Sequence, residues 1–163
     1  MQHHPNAFSV IKIVHIGLLV GMAMFDIVSL IIVLQDIPVI ADESVQRSLQ
    51  VGCVLLSALL LIGGFKIFKK KIFAARNSAE PGEKRMEMYR AACIMWWAMI
   101  EAPGIVAGIG FILSGNFAFF ALAVFHLLTM LVFAPRKTNI IMFLNLNSNE
   151  VAKLEGKGKG NEK

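Results

Sequence analysis

One acidic residue and one proline interrupt an apolar stretch long enough to cross a membrane. Residues 93–108 read Cys-Ile-Met-Trp-Trp-Ala-Met-Ile-Glu-Ala-Pro-Gly-Ile-Val-Ala-Gly, with Glu101 and Pro103 near the middle. About twenty mainly apolar residues are typical of a transmembrane helix. An acid near the bilayer centre costs about 2.5–3.5 kcal/mol on insertion scales, and Pro103 leaves the Met99 carbonyl without its helical donor. The sequence therefore predicts a membrane helix with an unusual polar position.

The composition favours a membrane protein over a nucleic-acid-binding protein. Of the 163 residues, 56% are hydrophobic, and the length suits one domain. The formal net charge is +5, but the basic residues lie just outside apolar segments, and we find no nucleic-acid-binding motif with them. Membrane topology explains this charge pattern better, so we expect a lipid bilayer and no nucleic acid as partner.

The apolar periodicity predicts an all-α fold: a polytopic membrane protein with four antiparallel transmembrane helices and a short amphipathic C-terminal segment. The four spans are expected at about 10–34, 49–67, 88–114 and 117–134, in one domain, with residues 135–163 as a tail. Local signals mark the ends. Asp42 is a predicted N-cap, Gly115-Asn116 a tight turn, and Asn147 with Glu150 a capping box. The second helix is expected to extend through Phe73 as an interfacial segment.

The distribution of Lys and Arg predicts the orientation. The segment from Lys66 to Arg90 contains eight of them, whereas the connection before the second span contains Arg47 alone. By the positive-inside rule, both termini should be cytoplasmic. Lys69, Lys70 and Lys71 lie where anionic headgroups would attract them. They act either as a topology determinant alone or also as a lipid-headgroup site.

Glycines at helical spacing predict close helix packing on two spans. Gly17 and Gly21 form a GxxxG pattern on the face of the first span opposite Asp26, although so short a motif also arises by chance. Gly104 and Gly108 share the face of Glu101 on the third span. We therefore expect the first pair to contact a partner helix.

No cofactor or metal site is expected. His15 lies near one end of its span and His126 near mid-membrane, so they do not match as haem ligands. Cys53 and Cys93 fall near opposite membrane surfaces, too far apart for a disulfide, and neither has metal-ligand spacing. The prediction is two free, buried thiols.

Three residues are candidates for an intramembrane polar site: Asp26, Glu101 and His126. Counted from the Gly115 turn, Glu101 and His126 differ in depth by about 5 Å, so we expect them to share a hydrogen bond, directly or through one water. Such a group is either a proton site or only a polar contact between helices.

The third span resembles that of a group of small, uncharacterised four-span bacterial membrane proteins. That pattern runs Tyr-Arg-x-Ala, then Trp-Ala, then Glu-Gly-Pro, and here it corresponds to Tyr89-Arg90, Trp97-Ala98 and Glu101-Ala102-Pro103, followed by Gly115-Asn116 and Pro135. Ala102 replaces the glycine. The likeness covers about residues 84 to 150 and implies no function. We expect a multi-pass protein of the bacterial inner (plasma) membrane.

The sequence contains no phosphate loop, nucleophile elbow, zinc signature or dinucleotide fingerprint. We therefore expect a non-enzymatic protein, a scaffold or accessory subunit of a membrane assembly, present as a homo-oligomer or in a larger membrane complex. The alternative is a small oligomeric proton-coupled transporter or ion conduit that uses Glu101.

Overall fold

The computed structural model describes residues 6–35 and 42–156, and these fold into an all-α structure. The six helices are α1 (Ala7–Leu34), α2 (Glu43–Arg76), α3 (Gly82–Ser114), α4 (Phe117–Val132), α5 (Lys137–Leu144) and α6 (Ser148–Leu154). Three of them, α1, α2 and α3, are long and apolar enough to cross a bilayer, and α4 joined to α5 across a 69° bend would make a fourth.

The helix ends follow the local sequence signals closely. Asp42 caps α2 by accepting a hydrogen bond from the Ser44 amide, so the predicted N-cap is confirmed and α2 begins before the span expected from residue 49. Gly115 ends α3 in the left-handed conformation at φ 63°, which glycine adopts without strain. The capping box of Asn147 and Glu150 is confirmed at the start of α6. Helix α2 extends to Arg76, which confirms the predicted extension.

The predicted spans correspond to helices with one small difference. Residues 10–34, 49–67 and 88–114 lie inside α1, α2 and α3, whereas α4 ends at Val132 rather than at residue 134. Phe133 is its C-cap and Pro135 follows, and the residue before a proline is disfavoured in helical conformation. Residues 1–5, with adjacent histidines at 3 and 4, residues 36–41, with a proline at 38, and the tail from 157 on lie outside the described residues.

Helix α3 is the centre of the molecule, because every other helix packs against it. Its buried residues cover most of its circumference, whereas α1 and α2 bury one stripe each. Cys53 and Cys93 are both free and buried, as predicted, and they belong to different core clusters. The fold is thus organised around the helix that carries Glu101 and Pro103.

Helices α5 and α6, here called the C-terminal cap, pack on the α2–α3 hairpin beyond the apolar segments. The buried Arg85 donates from Nη1 to the Leu144 carbonyl at 2.6 Å and forms an ion pair with Glu150. The Asn147 amide donates to Glu150, and this bond together with Arg85 holds the pKa of Glu150 below its ordinary value. At Gly82 an added Cβ would lie 2.9 Å from the Glu150 Cβ, so glycine allows this close approach.

Candidate functional site

The middle of α3 is built so that α1 and α4 can approach it closely. Pro103 is buried inside the helix, which continues through it. At Gly104 an added Cβ would lie 3.0 Å from both the His126 Cβ and the Met22 Cε. The missing side chain at Gly104 therefore brings α1, α3 and α4 together beside the proline.

A second close approach occurs one turn further along α3. A Cβ at Gly108 would overlap the ring of Phe25 on α1, and a Cβ at Gly110 would lie 2.7 Å from Cδ1 of Phe119 on α4. The glycines that share the face of Glu101 in the sequence thus lie at contacts between helices in the structure.

His126 is fully buried and bonds to α2 instead of to Glu101. Its Nε2 lies 3.0 Å from Oγ of Ser57, which is also buried. Its Nδ1 has no hydrogen-bond partner among the described residues, although the ring lies beside the Ile100 carbonyl. Ser57 was not predicted as a site residue. Its seven-residue spacing from Gln50 and Gly64 is the sequence signal that could have identified it.

The predicted direct hydrogen bond between Glu101 and His126 is not formed. The depth estimate is consistent, because His126 lies at Gly104, three residues or about 4.5 Å from Glu101 along α3. The two side chains do not meet because they differ in angular position around α3. Met99 faces Gly64 of α2, and Glu101, two residues later, lies about 160° away around α3. The imidazole reaches α2, whereas the half-buried carboxyl lies on nearly the opposite side of α3.

Asp26 lies apart from both other candidates. It is only 6% exposed, and its Oδ2 has no hydrogen-bond partner among the described residues. Met22 of α1 lies beside Gly104 of α3, so these two residues mark one common depth. Asp26 follows Met22 by four residues and Glu101 precedes Gly104 by three, which separates Asp26 from Glu101 by about 10 Å along the helix axes. The three candidates therefore occupy different depths or different faces and do not form one cluster.

His15, considered in the sequence only as a haem ligand, contributes a contact between helices. Its Nε2 lies 3.0 Å from the carbonyl of Met130 on α4, and its ring packs against Trp97 at 4.9 Å between centroids. Trp97 and Gly104 are seven residues apart, so His15 and His126 differ in depth by about 10 Å.

Gly17 and Gly21 lie on an open face of α1. Both are exposed, and no heavy atom would lie within 4 Å of an added Cβ at either position. Contact with a partner helix at these glycines stays a prediction, because no second chain is described.

Glu101 borders the same open face. His15 lies at Trp97 and Met22 at Gly104, so on α3 the depth of Glu101 falls between those of Gly17 and Gly21 on α1. Met22 and Gly104 point toward each other, so they give the reference direction on each helix. At 100° per residue, Gly21 lies about 100° from Met22 in one sense around α1, and Glu101 lies about 60° from Gly104 in the other sense around α3. Because the two helices run parallel, Gly21 and Glu101 therefore face the same side of the helix pair. We call this surface the glycine face.

Lys69, Lys70 and Lys71 are exposed on α2, where the apolar part of the helix ends. Nζ of Lys69 lies 5.6 Å from the centroid of the Phe65 ring. In the parts of the chain that the structure describes, none of the three forms an ion pair.

Comparison with protein-family models, with curated proteins and with solved structures finds no match to this chain. Within residues 6–35 and 42–156, no group of three or more His, Cys, Asp or Glu side chains has the arrangement of a metal site.

Proposed function

We propose that this chain is a four-span membrane protein that acts without catalysis, as a scaffold or accessory subunit of a membrane assembly. The observation that carries the proposal is the glycine face, where Gly17 and Gly21 leave an open surface beside the half-buried Glu101. Small residues allow helix backbones to approach closely in a bilayer. A carboxyl group at the rim of such a surface supplies a polar contact for the neighbouring helix.

The helix directions support four antiparallel spans. Where α1 contacts α3, residue numbers increase in the same direction along both helices, so α1 and α3 run parallel. Where α2 or α4 contacts α3, residue numbers increase along one helix as they decrease along the other, so these pairs run antiparallel. The contacts are His15–Trp97 and Met22–Gly104 for α1, Phe68–Trp96 and Gly64–Met99 for α2, and His126–Gly104 and Phe119–Gly110 for α4.

The depth of α4 supports its assignment as a span without α5. Its 16 residues extend about 24 Å. Phe133 at its end packs on Phe65 of α2, with ring centroids 6.0 Å apart. Lys66, the first basic residue after the apolar part of α2, follows Phe65 immediately. Helix α4 thus ends at the depth where the charged part of α2 begins. The 69° bend then directs α5 away from the axis of α4.

The exposed basic residues near this depth support an orientation with both termini on the cytoplasmic side of a bacterial inner membrane. They come from α1, from α2 and from the α4–α5 corner, and they include Lys12, Lys66, Lys69, Lys70, Lys71 and Arg136. A concentration of basic residues at one end of the helices is typical of the cytoplasmic surface.

We expect Gly21→Leu to disrupt assembly through the glycine face. The leucine side chain would occupy the surface on which a partner helix packs, while the chain itself has room for it. In mild detergent, light scattering should give a smaller mass for Gly21→Leu than for the native protein, with unchanged helix content. Gly52→Leu, at an exposed glycine of α2 with equally free space, is the matched control.

A monomeric mass for the native protein and both variants would exclude a homo-oligomer. Co-purification of the same partner subunits with the native protein and with Gly21→Leu would then exclude the glycine face as the assembly surface.

A proton-coupled conduit is the second candidate function. It is favoured by Asp26 and His126, each with a buried polar atom that has no partner among the described residues, and by the half-buried Glu101. Ionisable residues inside a membrane often mark proton paths. A conduit exchanges protons across liposomes by itself, and Glu101→Gln, which cannot release a proton, would stop that exchange. An accessory subunit alone is inert in this assay.

A further inference from the structure

Helices α2 and α4 come together at the basic end of the molecule, and we call the surface along their contact the α2–α4 groove. Both helices pack on α3, and near this end they meet at Phe65 and Phe133. Trp96 of α3 forms the floor behind this contact, with ring centroids 5.7 Å from Phe65 and 5.2 Å from Phe133. The groove therefore has an aromatic wall at the depth where the apolar part of α2 ends.

Exposed apolar side chains belong to this wall or adjoin it. Val132 is 77% exposed, Phe125 is 50% exposed and Phe65 is 40% exposed. Phe125 and Val132 are seven residues apart, so they lie on one face of α4. In the proposed topology this surface lies within the hydrocarbon region, where acyl chains cover apolar side chains.

Two basic groups lie just beyond the aromatic wall. Lys69 follows Phe65 by four residues on the same face of α2, and its Nζ lies 5.6 Å from the Phe65 ring centroid. Arg136 is exposed at the corner between α4 and α5, three residues after Phe133. Neither forms an ion pair with any acid of the described residues, whereas the neighbouring Lys137 is paired with Glu155.

We propose that the α2–α4 groove binds one anionic phospholipid, with its phosphate between Lys69 and Arg136 and its acyl chains against Phe65, Phe125 and Val132. The inference rests on the proposed membrane topology. The charges that lack acidic partners select an anionic headgroup, and the apolar surface directly beside them selects a ligand with acyl chains attached. An acidic protein segment would match the charges but not an apolar surface turned toward hydrocarbon.

Native mass spectrometry of the detergent-purified full chain tests the proposal. Phosphatidylglycerol and phosphatidylcholine with identical acyl chains are titrated against the native protein and against a Lys69→Gln/Arg136→Gln double variant. The matched control is Lys12→Gln/Lys84→Gln, which removes the same charge away from the groove. Each basic residue near an anionic headgroup contributes about a fivefold gain in binding. We therefore expect the double variant to bind phosphatidylglycerol about 25-fold more weakly, with the control unchanged.

The groove and the charges are tested separately. Val132→Ser, at a largely exposed position, should weaken phosphatidylglycerol binding without changing the preference over phosphatidylcholine. Equal loss in the double variant and the control, equal affinity for both lipids, or full competition by water-soluble glycerol phosphate would overturn the proposal. Displacement of the lipid by an acidic peptide would assign the groove to a protein partner instead. If reporters at Asp42 and Asn77 lie on opposite sides of the membrane while selective binding is absent, the lipid site fails and the topology stands.

Discussion

Replacing Gly108 by leucine is expected to destabilise the protein more than any other single change considered for this fold. The added side chain must occupy the space of the Phe25 ring, so α1 has to move away from α3. Overpacking a core costs about 1–3 kcal/mol, and we expect about 3 kcal/mol here because a rigid aromatic ring has to yield. Thermal unfolding in detergent should shift downward by about 10 °C.

Two further variants test that explanation. Gly63→Leu places the same side chain on α2, where no heavy atom would lie within 4 Å of the Cβ. It should be neutral or slightly stabilising, because leucine has the higher helix propensity. Phe25→Ala should partly restore the stability of Gly108→Leu by vacating the overlapped space. Equal melting temperatures for Gly108→Leu and Gly63→Leu would show that α1 does not pack on α3 at this point.

Arg85→Met is expected to release the C-terminal cap while leaving the four long helices folded. The variant loses the charge-assisted hydrogen bond to the Leu144 carbonyl and the ion pair with Glu150, and a hydrogen bond to a charged group contributes about 1.5–3 kcal/mol. Limited proteolysis should cleave near Asn145 several-fold faster than in the native protein. Lys84→Met, one residue away on the exposed side and paired with Glu87, is the matched control.

The cap should also respond to acid, with a sign set by Glu150. The pKa of this carboxyl is held below its ordinary value of 4.5 in the folded protein. Its contribution to docking is therefore fully present above that ordinary value and is lost as the pH falls through the lower, folded pKa. Proteolysis near Asn145 should accelerate in acid in the native protein and respond less to acid in Arg85→Met, which loses the ion pair but keeps the Asn147 hydrogen bond to Glu150. Equal cleavage rates for Arg85→Met and Lys84→Met at neutral pH would contradict the assigned role of Arg85.

Local chemistry explains which parts of the fold could be predicted from the sequence. Asp42, Gly115 and Asn147 act through hydrogen bonds or backbone conformations within a few residues of themselves, so their neighbours in the sequence suffice to identify them. The long apolar segments are equally local, because span length is set by bilayer thickness. The small error at the end of α4 also has a local cause in Pro135.

The candidate site was less predictable, because it depends on how helices are rotated about their axes. Counting residues from Gly115 gave the relative depth of Glu101 and His126 correctly, since rise per residue is nearly constant. Nothing in that count specifies which neighbour His126 faces. Ser57 of α2 lies 69 residues away in the sequence, and its hydrogen bond with His126 exists only because both helices pack on α3.

The two glycine pairs show the same limit. Gly17-Gly21 and Gly104-Gly108 look alike in the sequence, yet the first pair is open and the second is filled by Met22, Phe25 and His126 from neighbouring helices. Spacing identifies a surface that permits close approach, but the partner that occupies it is a property of the assembled bundle.

Cysteine accessibility in whole cells tests most directly the central claim, a four-span chain with its basic end in the cytoplasm. Cys53 and Cys93 are buried, so the native protein supplies a low background. Single exposed positions are replaced one at a time: Ser44→Cys before the second span, Asn77→Cys between α2 and α3, Phe117→Cys at the start of α4, and Ser148→Cys in the C-terminal cap. A membrane-impermeant maleimide should label positions 44 and 117 in intact spheroplasts, and positions 77 and 148 only after the membrane is opened. Labelling of position 77 from outside would contradict the orientation, and labelling of positions 117 and 148 from the same side would contradict the fourth span.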